Sequence, residues 1–269
     1  MTESLRKRII TATVLAVLFL GVLLALPPVA TVIVITALVL TGAWEWSAFL
    51  HAHRGVARAA YVVFVALLLG VAWYAADDPV VLFIILMTAL VWWIVALAWI
   101  IFAPRSVAPW SAGLAGVLAL VPAWLALVRL RYLPHGALWV LFTLLLVWSA
   151  DIGAYFAGHR FGRIRLAPEV SPGKTWEGVI GGVALSAIVA VGGGAWFALP
   201  LYTFVPLCLA AVAFSIVGDL TESLLKRFAG VKDSGTLFPG HGGVMDRIDS
   251  VTGAAPVLFF GLTVLGVIA

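Results

Sequence analysis

Long apolar runs separated by brief polar breaks dominate this chain. The runs cover Ile9–Leu26, Val29–Leu50, Ala59–Ala76, Asp78–Phe102, Trp110–Leu130, Gly136–Gly158, Thr175–Leu199, Leu201–Leu220 and Val251–Ala269. Each is long enough to cross the roughly 30 Å hydrocarbon layer of a bilayer as a helix. The breaks carry the residues that stop or start helices: Pro27-Pro28, Asp77-Asp78-Pro79, Pro104-Arg105 and Pro200. The pattern predicts an all-α, polytopic membrane bundle of about nine transmembrane helices. Arg6-Lys7-Arg8 before the first run imitates a signal peptide. That run is long enough to span, however, and Leu26-Pro27-Pro28 is a poor cleavage site, so a retained first helix is expected. Residues 1–135 hold spans one to five. Residues 136–269 hold spans six to nine with the charged loops, and the whole reads as one integral membrane unit.

Composition sharpens this picture. The 269 residues are 64% hydrophobic and 10% charged, with 12 Trp and 15 Phe, and the mean hydropathy is +1.17. A soluble domain cannot hide that much apolar surface. The single cysteine, Cys208, lies in an apolar run, which leaves no disulfide framework and no cysteine metal site. The net charge of +4 does not point to nucleic acid; the orientation of the spans explains it. With nine spans, Arg6, Lys7, Arg8, Arg54, Arg58, Arg105, Arg160, Arg163, Arg165, Lys174, Lys226, Arg227, Lys232 and Arg247 share one side. Only Arg129 and Arg131 fall on the other, as snorkelling residues at the outer interface. By the positive-inside rule the N-terminus and the charged loops are cytoplasmic and the C-terminus is outside.

Against this oily background, Ser215 to Ser250 concentrates Asp219, Glu222, Lys226, Arg227, Lys232, Asp233, His241, Asp246, Arg247 and Asp249. Asp219, Glu222, Ser223 and Lys226 recur at i, i+3, i+4 and i+7 and share one helix face. Asp246 and Asp249 share a face if a helix begins near Val244. Pro239-Gly240-His241-Gly242-Gly243 between them cannot be regular helix, and such a loop brings backbone N–H groups close to an anion. A solvated loop is the simpler alternative, but ionisable groups between apolar helices are functional by default. Carboxylates beside Lys and Arg suit phosphate chemistry with a divalent metal.

Three further places carry polar residues. Asp151 and Tyr155 share a face at the end of the sixth run. Ser171-Pro172-Gly173-Lys174-Thr175-Trp176-Glu177-Gly178 opens the seventh helix, with Ser171 or Thr175 as cap and Lys174 beside an anion-attracting helix N-terminus. Glu45, between Trp44 and Trp46, is either an interfacial residue or a participant near the site. Gly178, Gly181, Gly182 and Gly192 to Gly194 are expected to let helices approach closely.

Ser223 to Asp249, with its K-D, P-G-H-G-G and D-R-x-D elements, resembles the signature of the phosphatidate cytidylyltransferases (CDP-diacylglycerol synthases). S-P-G-K-T-W-E-G and the D-x-G-A-Y-x-x-G pattern from Asp151 resemble the same family, so the resemblance covers Asp151 to Asp249. Many members carry a second basic residue where this chain has Gly173, which leaves Lys174 alone there. The resemblance implies transfer of a cytidylyl group from CTP to phosphatidate, with Mg²⁺ and room for a second cation. It places the protein in the bacterial inner membrane among membrane lipids, with its site facing the cytoplasm; a homodimer is compatible with it, and nucleic acid is not a partner.

On that basis Asp219 and Asp246 are the expected metal ligands. Lys226, Arg247 and Asp249 are expected to join them in catalysis. Substrate contacts are expected from Asp151, Tyr155, Ser171, Lys174, Arg227, Lys232, Asp233, His241, Gly242 and Gly243. Phosphatidate brings its own nucleophile, so the chain needs positioning and charge neutralisation, not a Ser-His pair. Two other readings stay open. A CTP-dependent polyprenol or lipid-alcohol kinase would move the γ-phosphate. An ion-coupled transporter would use Asp151 and Asp219 as an ion site, against the clustering of charge on one face and the lack of an internal repeat.

Overall fold

The computed structural model describes residues 17–50, 55–235, 237 and 242–268. His51, His53, Arg54 and His241 lie outside the described residues. The elements run α1 (described over 17–25), α2 (Pro28–Trp46), a 3₁₀ turn (Ser47–Leu50), α3 (Gly55–Ala75), α4 (Pro79–Phe102), α5 (Pro109–Tyr132) and α6 (Gly136–Phe161). A small hairpin of β1 (Arg165–Ala167) and β2 (Ser171–Thr175) follows, then α7 (Trp176–Trp196), α8 (Leu201–Phe228) and α9 (Met245–Val264). The fold is all-α apart from the hairpin. Among the described residues seven helices, α2 to α8, are long and apolar enough to cross a membrane. Asp246, Arg247 and Asp249 in its opening turns make α9 more polar than these seven.

Helix starts follow local chemistry. Pro28, Pro79 and Pro109 occupy first turns, where the missing N–H costs nothing. The Asp78 carboxylate accepts from the Val80 N–H at 2.8 Å and caps α4. At α7 the cap is Thr175, whose Oγ1 accepts from the Gly178 N–H at 3.2 Å. Ser171 does not open that helix. It pairs opposite Ala167 in the hairpin, while Arg165 faces Thr175. A β-hairpin of eleven residues between two membrane helices, with only Leu166, Ala167 and Val170 among polar and turn residues, is too short for periodicity to reveal.

Two helices run on beyond their hydrophobic limits. α8 continues past Leu220 to Phe228, and α9 begins at Met245, well before Val251. Hydropathy marks where a helix leaves the bilayer, not where its hydrogen bonds end. Arg131 also departs from expectation. It is 8% exposed, and it donates to the Leu23 and Leu26 carbonyls at 3.3 and 3.1 Å and to Thr31 Oγ1 at 3.1 Å. It satisfies carbonyls at the end of α1 that a helix leaves unpaired. Arg129 sits nearer the surface, over the Trp73 ring and bonded to Asp77 at 2.8 Å.

The bundle is organised around α5, buried without interruption from Ala119 to Val128 and packed against α2, α6 and α9. By contrast α3 and α4 expose Phe64, Leu67, Val71, Ile84 and Ile94, the surface a lipid-facing helix shows. Glycines set two close crossings. A Cβ on Gly182 of α7 would lie 2.7 Å from the Ala150 carbonyl of α6, and one on Gly218 of α8 would lie 2.5 Å from the Asp249 carbonyl of α9. These crossings bring the ends of α6, α7, α8 and α9 together.

Candidate active site

The last two turns of α8 and the first of α9 meet at one end of the bundle. On the α8 face Asp219 pairs with Lys174 from β2 and accepts from Ser223 Oγ at 3.4 Å. Two turns beyond Asp219, Lys226 Nζ donates to Glu222 Oε2 at 3.1 Å and to Asp246 Oδ1 at 2.7 Å. The i, i+3, i+4, i+7 spacing thus forms one face, and Lys226 ties it to α9.

A cavity of about 490 Å³ opens beside Asp219. Asp151 and Tyr155 of α6, Lys174 and Thr175 of the hairpin, and Ser250 of α9 line it. The N-terminus of α7 faces it through Gly178, which adds a positive end to the Lys174 ammonium. Tyr155 stacks on His159, with ring planes 5° apart, and both reach the cavity. The hollow therefore combines carboxylates with an ammonium and a helix N-terminus. An anion bound there meets positive partners, and a cation meets oxygen donors.

Asp246 lies in different surroundings. Its Oδ2 accepts from the Gly243 N–H at 2.8 Å and from the N–H and Oγ of Ser234, both at 3.0 Å. Burial works against its charged form. The Lys226 ammonium and the Gly243 and Ser234 N–H groups outweigh burial and hold the carboxyl below the usual aspartate range. Gly242 has φ of 80°, and a Cβ there would approach Asp246 Oδ2 to 2.5 Å, so both conformation and space call for glycine.

The same loop is held from the other half of the chain. The Glu45 carboxylate of α2, 5% exposed, accepts from the Val244 N–H at 3.1 Å, the Met245 N–H at 2.8 Å and Ser234 Oγ at 3.0 Å. It caps α9 from another helix, which ties it to the loop that carries Asp246. Ser234, which bridges Glu45 and Asp246, escapes sequence reasoning because a lone serine in a loop carries no periodic or charge signal.

Asp151, Tyr155, Lys174 and Asp219 thus share the cavity. Asp249 is 8% exposed and lies within interaction range of Asp219 and Glu222. Lys232 and Asp233 are exposed in the loop, Ser171 lies in the hairpin, and Arg227 Nε donates to the Val170 carbonyl at 3.3 Å. None of these four lines the cavity. Gly242 and Gly243 shape the loop under Asp246, and Arg247 is exposed on the first turn of α9.

The donor set suits a hard cation. Glu222 Oε1 is buried without a hydrogen-bond partner among the described residues, within interaction range of Asp249. Neighbouring carboxylates of this kind are relieved by a proton or a cation. The described residues hold no group of three or more His, Cys, Asp or Glu poised as a complete metal cage. Mg²⁺ needs none, since it uses one or two carboxylates and completes its shell with water and substrate phosphates.

The family described as the cytidylyltransferase family matches residues 6–265. The chain is 45% identical over 261 residues to a phosphatidate cytidylyltransferase of Pseudomonas aeruginosa, a match that spans 94% of this chain and 95% of that protein. It is 37% identical to one of Haemophilus influenzae, over 94% of this chain and 96% of the other. A Bacillus subtilis protein of the same name is 40% identical over 129 residues, about half of each chain.

Proposed function

Because the chain belongs to the cytidylyltransferase family, we propose that it transfers the cytidylyl group of CTP to phosphatidate in the membrane, giving CDP-diacylglycerol and pyrophosphate. The observation that carries this reading is the cavity in which Asp151, Lys174 and Asp219 meet the N-terminus of α7, at one end of an apolar bundle. A lipid phosphate and a nucleotide triphosphate repel each other, and a site of this composition answers that repulsion.

In the reaction a phosphate oxygen of phosphatidate attacks the α-phosphorus of CTP. The bond from that phosphorus to the bridging oxygen of the β-phosphate breaks, and pyrophosphate leaves. No side chain has to become a nucleophile. Asp219 and Asp246 would hold Mg²⁺. When bound, the ion would neutralise the triphosphate and stabilise the leaving pyrophosphate. Lys174 and the α7 N-terminus would bind phosphate oxygens. Lys226 keeps the α8 and α9 carboxylates in one constellation. Asp151 and Asp249 orient the cationic groups. Lys226, Arg227, Lys232 and Arg247 supply positive charge around the entry.

We read the membrane arrangement as nine spans, counting α1 and α9, with the N-terminus and the site on the cytoplasmic face of a bacterial inner membrane and the C-terminus outside. The distribution of Lys and Arg supports that orientation. The decisive experiment incubates the purified full chain with phosphatidate, Mg²⁺ and CTP labelled at the α-phosphate. Label in the lipid together with pyrophosphate is the expected outcome. Label reaching the lipid only from γ-labelled CTP would replace this reading with a lipid kinase.

A further inference from the structure

A second cavity, of about 480 Å³, lies between α1, α2, α5, α6 and the start of α9. Its walls are apolar, with Val34 and Leu38 from α2, Ala123 from α5, Val140 and Leu144 from α6 and Val251 from α9. Among the described residues that line it, the one ionised side chain is Arg247, on the first turn of α9. On α6 the wall extends from Val140 to Trp148, about 12 Å at 1.5 Å per residue. Three residues beyond Trp148 comes Asp151, which lines the polar cavity and lies within electrostatic reach of Arg247. Ser250 of α9 lines the polar cavity while its neighbour Val251 lines the apolar one, so the two hollows flank the same helix at one level.

We propose that this groove is the acyl-chain subsite for the acceptor lipid. One tail of an anionic phospholipid lies along it, and the lipid phosphate meets Arg247 at the end of the groove nearest the polar cavity. The proposal rests on the function given above. Its support is charge complementarity and nearness: an apolar groove has one cation, Arg247, at the end that lies within electrostatic reach of Asp151 in the polar cavity. Tails gain little from leaving the bilayer for an equally apolar wall. Selectivity therefore arises from the shape of the groove and from the fixed charge at its end.

The test fills the groove without touching the polar site. Val34→Trp and Ala123→Phe should each raise the apparent KM for dioleoyl phosphatidate about tenfold. The KM for CTP, and kcat/KM for dihexanoyl phosphatidate, whose tails are too short to fill the groove, should not change. Equal losses on both lipids, or no change on either, would overturn the proposal. A readout independent of folding of the variants and of turnover uses the unaltered chain and phosphatidate carrying a diazirine midway along one tail. Crosslinks within 123–127 of α5 and 248–252 of α9 support the groove; crosslinks confined to the outer faces of α3 and α4 refute it. Because crosslinking needs no CTP, it still decides the groove if label transfer, and with it the proposed function, fails.

Discussion

Asp219 and Asp246 are the same residue type, close to the same helix junction, and they do different things. Asp219 faces a cavity, holds one ammonium and keeps oxygen lone pairs toward open space. Asp246 is gripped by Lys226, Ser234 and Gly243, with Glu45 anchoring the same loop from below. One carboxylate faces open space; the other must hold its own loop in place as well as serve the proposed metal. A carboxylate's surroundings, more than its identity, decide whether its substitution is felt in chemistry or in folding.

The largest expected effect comes from Asp219→Asn. Removing a charge placed to act on the reacting groups should lower transfer of α-label from CTP by roughly 10³-fold, the scale of losing a preorganised electrostatic partner, with thermal stability nearly unchanged. Near-normal activity would remove Asp219 from the proposed metal site. Asp246→Asn should lower activity about 100-fold and, unlike the first, destabilise the protein. It leaves Lys226 partly unpaired, and breaking a buried pair typically costs roughly 3–5 kcal/mol. If its melting temperature in detergent stays at the wild-type value while activity falls as far as in Asp219→Asn, the contrast between the two aspartates is wrong.

Glu45→Gln sharpens the comparison from the N-terminal half. The amide keeps one acceptor oxygen for three donors, so the loop should loosen and activity fall about tenfold, on the order of one charge-assisted hydrogen bond. Glu45→Asp should be no better, since the shorter arm cannot reach both N–H groups of α9. Full activity in Glu45→Gln would make the capping role dispensable. The smallest effect is in pH. The carboxyl of Asp246 is held below its usual range in the folded protein. Its contribution is therefore complete above the unfolded value of about 3.9 and is lost as acidification proceeds below that. The stability gap between wild type and Asp246→Asn should stay constant from pH 8 to about 5 and close only under stronger acid.

The chain's hydrophobic runs foretold most of the bundle, because membrane helices must satisfy their backbone internally and can be read from apolar length. Spacing alone put Asp219, Glu222 and Lys226 on one face. The ends were harder to see. α8 continues for two turns past Leu220, where its unbroken apolar run ends and polar residues alternate with Leu224, Leu225 and Phe228, and the hairpin before α7 is too short to leave a pattern. Arg131 illustrates the same limit: its charge suggests water, yet the unpaired carbonyls of α1 draw it inside. Glu45 was visible as an oddity between tryptophans, but its partners lie about 200 positions away, and local sequence has no means of showing them.

Where α8 crosses α9 at Gly218, main chain rests on main chain. The gap between Asp219 and the opening of α9 is thus set by the skeleton and not by any rotamer. Whatever the site holds is measured by a ruler that side-chain motion cannot stretch. A single methyl group added at that crossing should shift the carboxylates of α8 against those of α9, leaving each pair intact on its own helix and neither at the right distance from the other.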